Sequence, residues 1–309
     1  VLAITAPGQG AQTPGFLEAW LELPGVTERL TWWSAVTGLD LIRYGTTADA
    51  DEIRDTAVAQ PLLVSAALIA YEVLDVRPGL VAGHSVGELA AAAMAGVISP
   101  EAALVLARER GRAMAEAAAV TETGMTAVLG GDPDEVQTVL KEHGLTPANM
   151  NGAGQVVAAG TLEQLAALKD RPPSKARLRS LQVAGAFHTV HMRPAVDTLR
   201  RITPGMPVAD PGIQVLSNRD GAVVGRGEDF VTRLAEQVSN PVRWDSCMET
   251  MTDLGVTAII ELPPAGTLAG IARRALPGVE VVALKTPDKL DQARALAEAS
   301  PDDDTLENA

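Results

Sequence analysis

Five short apolar runs limit what this chain can fold into more than any other feature. Val1–Ala6, Leu80–Ala82, Ile213–Leu216, Ala258–Leu262 and Val279–Ala283 are largely apolar on both of the faces a strand would present. A strand with one face in water alternates polar and apolar residues. These runs do not, so both faces must be covered. Helical patterns fill the sequence between them. Residues 11–75 are mainly helical with breaks at Pro24-Gly25, Gly38 and Pro61, and Glu88–Ala95 is an alanine-rich helix stopped by Gly96. Pro100–Ala119 is a further helix, with Ser99 at its N-cap and Pro100 at its first position. Strands alternating with helices through short connections predict a parallel sheet sandwiched between helices.

Residues 124–184 follow a different pattern. Thr126–Leu129 reads as a strand, and Asp132-Pro133 opens a helix that Gly144 closes. Ala148–Asn151 and Gln155–Ala159 are short strands around Gly152-Ala153-Gly154. Thr161 caps a helix to Lys169, and Arg177–Val183 is a last strand. The order β-α-β-β-α-β is that of a ferredoxin-like unit. It predicts a small domain at 123–187 inserted in a large one formed by 1–122 and 188–300, with a disordered acidic tail at 301–309.

Composition narrows the function. The 309 residues are 47% hydrophobic and carry a formal net charge of −14, which disfavours nucleic acid and anionic membrane surfaces as partners. One cysteine, Cys247, leaves no disulfide framework and no multi-cysteine metal site. No uninterrupted apolar run reaches the about 18 residues of a membrane span. No basic stretch precedes the first apolar residues, so no signal peptide is expected. A cytoplasmic monomer is the expectation.

Gly83-His84-Ser85-Val86-Gly87 lies between a strand and a helix. In that setting G-x-S-x-G is a nucleophile elbow: the tight turn lifts the serine clear of the sheet, and the helix start aims free N–H groups at it. The expected fold class is therefore α/β, with a large α/β-hydrolase-like domain and the inserted ferredoxin-like one. Serine needs a base, and there are four histidines. His84 should leave the far side of the elbow, and His143 ends a helix of the small domain. His188 and His191 lie where the chain leaves the insertion, facing the cleft between domains. Arg110 falls within the apolar stripe of Ala103, Leu106, Ala107, Met114 and Ala117, whereas Arg108, Arg112, Glu101 and Glu116 form the opposite, solvated face. A buried guanidinium needs an anion, either a protein carboxylate or the carboxylate of a substrate. Pro7-Gly8-Gln9-Gly10 lacks the lysine and spacing of a phosphate loop. Its backbone can instead approach a ligand closely and donate to an oxyanion.

Together these residues resemble the malonyl-CoA:acyl carrier protein transacylases and the acyltransferase domains of fatty-acid and polyketide synthesis. The resemblance rests on Pro7–Gln12, Gln60-Pro61, Gly83–Glu88, Arg110-Gly111, Ala184–His188 and Asn240–Trp244, in order along nearly the whole chain. It implies an acyl-accepting serine at Ser85 and a general base at His188. The backbone N–H groups of Gln9 and Val86 become an oxyanion hole, and Arg110 the ligand of the malonyl carboxylate. The histidine would be oriented by the Gln237 carbonyl, with Asn240 close by, and Asn151, Phe187 and Met114 would line the substrate cleft. Gly-Ala-Phe-His and Val86 resemble the malonyl-selective form. A family segment Glu-Val-Gly-Pro-Gly is replaced by Glu261-Leu262-Pro263-Pro264-Ala265, which stiffens that loop. The implied partners are malonyl-CoA and an acyl carrier protein, docking at Arg273-Arg274 or at the cluster Lys169, Arg171, Lys175, Arg177 and Arg179. No cofactor or metal is implied.

The implied reaction is ping-pong malonyl transfer through a malonyl-serine. The rival is a serine esterase or thioesterase of the α/β-hydrolase type. Its order is serine, acid, histidine, and no histidine follows His191. A catalytically silent docking module would have no reason to keep Ser85, His188 and Arg110.

Overall fold

The structure, a computed structural model, describes residues 1–183 and 185–300. Ala184 and the tail expected to be disordered lie outside the described residues. Among the described residues the strands are β1 (Leu2–Ala6), β2 (Leu80–Gly83), β3 (Thr123–Gly130), β4 (Thr146–Gly152), β5 (Gln155–Thr161), β6 (Ala176–Ser180), β7 (Gln214–Val215), β8 (Val242–Arg243), β9 (Ala258–Glu261) and β10 (Glu280–Ala283).

The five apolar runs form one parallel sheet in the order β10-β9-β1-β2-β7. The chain passes from β1 to β2 on one side and later returns to β9 on the other. The carboxyl ends of β1 and β2 thus flank the place where strand order reverses, the usual ligand position in an open α/β sheet. The register pairs Ala6 with Gly83, so the Pro7–Gly10 turn and the serine elbow emerge side by side.

Two helices set the floor of that end. The helix Thr56–Leu74 is capped by Asp55 and is buried along most of its length. With 19 residues and a hydropathy of 1.7 it matches a membrane span in length and composition, yet 78% of that window is buried inside the protein. Gln60 and Ser65 interrupt the apolar run, yet the mean hydropathy of the helix stays high. The helix Pro100–Ala118, capped by Ser99, packs against it. Close approach requires Gly111, where a Cβ would sit 2.6 Å from the Thr56 carbonyl oxygen. That approach brings Arg110 over Gln60.

Strands β6-β3-β5-β4 form an antiparallel sheet in the ferredoxin-like order, with helices Pro133–Glu142 and Leu162–Asp170 between them. Asp132 caps the first helix, and Thr161 and Gln164 form a capping box on the second. The unit is not closed on itself. β8, from far outside the insertion, pairs in parallel with β4, setting Val242 opposite Asn149. The last strand is shorter than the sequence pattern suggests. It stops at Ser180, and Leu181–Val183 turn away to line a cleft between the sheets.

The loop after β9 is held by its own contacts. Ala265 takes φ +43°. The buried Glu261 carboxylate accepts the N–H groups of Gly266, Leu268 and Ala269 at 2.6, 3.0 and 2.8 Å, pinning the loop to the helix Thr267–Ala275.

Candidate active site

Ser85 sits at φ +54°, the strained turn expected of an elbow. Gly87 permits it, because a Cβ there would lie 2.2 Å from the Ala6 carbonyl oxygen. The Ser85 N–H donates to Asn218 Oδ1 at 2.8 Å, and Asn218 Nδ2 donates to the Gly83 carbonyl at 2.8 Å. The elbow is thus clasped from the loop after β7.

Of the four histidines, His188 is the one that meets the serine. Ser85 Oγ lies 2.8 Å from His188 Nε2, and His188 Nδ1 donates to the Gln237 carbonyl oxygen at 3.0 Å. That second bond keeps the proton on Nδ1 and leaves the Nε2 lone pair for the serine hydroxyl. Burial, with the charge of Arg110 as a second cause, pushes the imidazole down to about 3. It is therefore neutral across the physiological range. His191 remains half-buried beside Thr189.

His84 turns away from the dyad. Its ring lies 2.9 Å from Asn151 Oδ1 through Nε2 and edge-on to Trp244 at 5.6 Å, and it lines the cleft. Gly8 packs so close to it that a Cβ would come within 2.9 Å of the His84 carbonyl. This brings the Gly8-Gln9 turn against the elbow. The N–H groups of Gln9 and Val86 have no acceptor among the described residues.

Arg110 is 2% exposed, and its hydrogen bonds all go to neutral oxygens. Nη1 donates to Gln60 Oε1 at 2.6 Å, and Nη2 donates to Gln237 Oε1 at 2.7 Å and to Ser85 Oγ at 3.2 Å. Of the two anions the sequence left open, the ion pair with a protein carboxylate is not made among the described residues. Burial lowers the guanidinium to about 10, still far above neutrality. A fixed, desolvated cation beside a nucleophile suits an acyl group that carries its own carboxylate.

A cleft of about 1110 Å³ opens between the two sheets beside the elbow, lined by Gln9, His84 and Asn151 among others; Ser85, His188 and Arg110 lie behind this lining. Its cationic lining is Arg54, Lys175, Arg177, Arg179 and Arg274, and among the described residues no acidic side chain lines it. A chain of net charge −14 thus presents a positive mouth.

Two residues expected in the substrate cleft pack into the core. Met114 is buried beneath Gln60, its sulfur 3.4 Å from Gln60 Nε2, and Phe187 packs into the main core near Gly185. Neither is among the residues lining this cleft, and in that they match Ser85, His188 and Arg110; the apolar stripe that carries Met114 faces the core below the guanidinium. Arg273 and Arg274 also separate: Arg273 donates to the Val281 carbonyl at 3.0 Å, while Arg274 lines the cleft. Asn240 is exposed and meets the imidazole through its backbone, not through its side chain. Its side chain bonds the Glu236 carbonyl and its N–H the Gln237 carbonyl, fixing the oxygen that His188 uses.

The pattern of motifs assigned no role to Gln60, Glu88 or Asn218. Glu88 is the only charged residue of the helix Gly87–Met94, a signal available from the sequence, and the structure buries it to 1% exposure. Asn218 follows the strand beside β2, where side chains face the carboxyl ends.

The profile of the acyl transferase domain family matches residues 7–299. The chain belongs to that family. Proteins named malonyl CoA-acyl carrier protein transacylase from Mycobacterium bovis and Mycobacterium tuberculosis are 51% identical over 298 residues, covering 94% of this acyltransferase and 99% of their own length. The crystal structure of MCAT from Mycobacterium tuberculosis matches this acyltransferase with a TM-score of 0.92 at 50% identity, over 95% of this chain and 99% of that one. A structure described as a type II PKS acyl-carrier protein in complex with its malonyl-transacylase matches with a TM-score of 0.89 at 31% identity, over 95% and 99%.

Proposed function

We propose that this acyltransferase moves a malonyl group from malonyl-CoA to the phosphopantetheine thiol of an acyl carrier protein through a malonyl-serine. The observation that carries the reading is the buried Arg110, hydrogen-bonded only to neutral groups and placed beside the Ser85–His188 dyad. The relatives named above support the same substrates.

In the first half-reaction Ser85 Oγ attacks the thioester carbonyl while its proton passes to His188 Nε2. Arg110 holds the free carboxylate. The oxyanion lies between the N–H groups of Gln9 and Val86, each worth about 3 kcal/mol if they act as other such donors do. The carbon–sulfur bond breaks, and the departing CoA sulfur takes the proton from His188. The carrier thiol then gives its proton to His188 and attacks the serine ester, and the same proton returns to Ser85 Oγ. Serine, imidazole and backbone donors supply every charge and proton, so the scheme uses no metal or cofactor. The esterase reading is weaker because the imidazole is oriented by a carbonyl and not by an acid. Incubation with malonyl-CoA, methylmalonyl-CoA and acetyl-CoA separately, followed by intact-mass analysis, tests the reading: a stable malonyl adduct that passes to carrier protein supports it. Free malonate as the main product overturns it.

The depressed imidazole has a pH consequence. The kcat/KM for malonyl-CoA reports the free enzyme and is expected to show no titration near the ordinary histidine value of about 6.5. An acid limb centred there would show that His188 is not held desolvated. Stability follows the same linkage. The His188 contribution is fully present above about 6.5 and is lost as pH falls towards about 3, because only the unfolded chain can take the proton.

For carrier docking, Arg274 replaces the pair Arg273-Arg274, joined across the cleft mouth by Lys175, Arg177 and Arg179. Arg274→Glu is expected to raise the KM for carrier protein severalfold at low salt, and less at about 0.15 M, where the Debye length is about 8 Å. Arg273→Glu should leave it unchanged. Equal effects of the two reversals would remove the distinction.

A further inference from the structure

A buried carboxylate stands one residue-contact behind the catalytic groups, and the scheme above leaves it without a task. Glu88 Oε1 accepts the Asn218 N–H at 2.6 Å, and Glu88 Oε2 accepts from Gln237 Nε2. The same Gln237 Nε2 donates to the Ser85 carbonyl at 3.0 Å. No lysine or arginine forms an ion pair with Glu88 among the described residues.

An amide side chain has one accepting end and one donating end. Gln237 uses both. Its oxygen takes Arg110 Nη2 at 2.7 Å, and its nitrogen faces Glu88 and the Ser85 carbonyl. Reversed, it would aim an N–H at a guanidinium, donor against donor, and an oxygen at a carboxylate, acceptor against acceptor. The Asn218 held by Glu88 is also the residue that accepts the N–H of the nucleophile. One carboxylate thus reaches all three parts of the site through two intermediaries.

We propose that Glu88 is a positioning residue for acyl transfer: it locks the Gln237 amide so that its oxygen faces Arg110, and thereby aims the guanidinium at the carboxylate of the acyl group. The inference rests on the malonyl-transfer reading.

The lock depends on both carboxylate oxygens being acceptors. Burial pushes the Glu88 carboxyl up to about 8, against the opposing effects of the Asn218 N–H, the Gln237 amide and the charges of Arg110 and Arg233; the Cys247 thiol faces it as well. Protonated, one oxygen must carry a hydrogen where an N–H already points, and one of the two contacts is lost. Selectivity for malonyl over uncharged acyl groups therefore rises with pH through the region of that titration.

Two measurements decide it. In the unmodified enzyme, the ratio of kcat/KM for malonyl-CoA to that for acetyl-CoA is expected to increase from pH 6.5 to 9, a range spanning the Glu88 value of about 8. In Glu88→Gln, the amide placed at 88 donates towards Gln237 and turns it over. The ratio should then fall about tenfold or more, as misplacement of a binding group does, and should no longer vary with pH. KM for malonyl-CoA should carry the loss, with the acylated fraction by intact mass unchanged. A flat wild-type ratio overturns the proposal without any variant. So does a Glu88→Gln enzyme that is merely less stable with its ratio intact. Failure of the wild-type enzyme to form any malonyl adduct would instead overturn the function reading itself.

Discussion

Ser85→Ala will form no malonyl adduct, and turnover will fall by about ten-thousand-fold or more, as loss of a nucleophile does in other serine acyl-transfer enzymes. No other hydroxyl in the site combines an elbow, two free N–H groups and an imidazole at 2.8 Å. His188→Ala should slow both half-reactions by about a hundred- to ten-thousand-fold, since one imidazole is base to each attacking group and acid to each leaving group. His191→Ala is the control, because the His191 side chain has no part in the dyad. Intact mass after mixing with malonyl-CoA reads the first effect, and single-turnover transfer to carrier protein reads the second. A stoichiometric adduct on Ser85→Ala would end the assignment.

The second large effect is on selectivity. Arg110→Ala is expected to cost about 3–5 kcal/mol in kcat/KM for malonyl-CoA, the loss seen when one member of a buried charged pair is removed. Acetyl-CoA has no carboxylate to leave unpaired, so its kcat/KM should drop far less, and the malonyl-to-acetyl ratio should collapse or invert. Gln60 Oε1 and Gln237 Oε1 each lose a donor in this variant. Thermal unfolding must therefore accompany the kinetics. An unchanged ratio would mean that the guanidinium serves the fold and not the substrate.

Glu88 and Arg110 show how much of the site was legible beforehand. Both break an apolar helical face, and such a break is visible in a one-dimensional pattern because burial follows helical period. What each touches was not visible. Arg110 meets Gln60 fifty residues away and Gln237 at a separation of 127. Those contacts exist because Gly111 lets two helices close and because the helix Gly227–Gln237 ends above them. The dyad was legible only in part. The elbow is a local turn written in five residues, whereas the choice between His188 and His191 depends on which ring faces the serine.

Other differences have the same origin. The resemblance implies a cleft position for Met114 and Phe187, and packing sets both in the core beside the catalytic groups. Arg273 and Arg274 are neighbours in sequence, but adjacent helical residues point about 100° apart, so one meets the sheet edge and the other the cleft. β8 is two residues long, too short to leave a periodic signal, and it becomes a strand because β4 offers it an edge.

By itself, the sequence determined what local chemistry controls: the apolar strands that need cover on two faces, the capped helices, the glycine-flanked elbow, the βαββαβ order, and a cation on a buried stripe. The tertiary structure alone decided which groups share hydrogen bonds across that frame. Ser85 with His188, His188 with the Gln237 carbonyl, Asn218 with the elbow and Gln237 with Arg110 join residues 49 or more positions apart. Periodicity reports the direction in which a side chain points. A hydrogen bond requires its partner within about 3 Å, and only the packing of whole helices against the sheet sets distances to that tolerance.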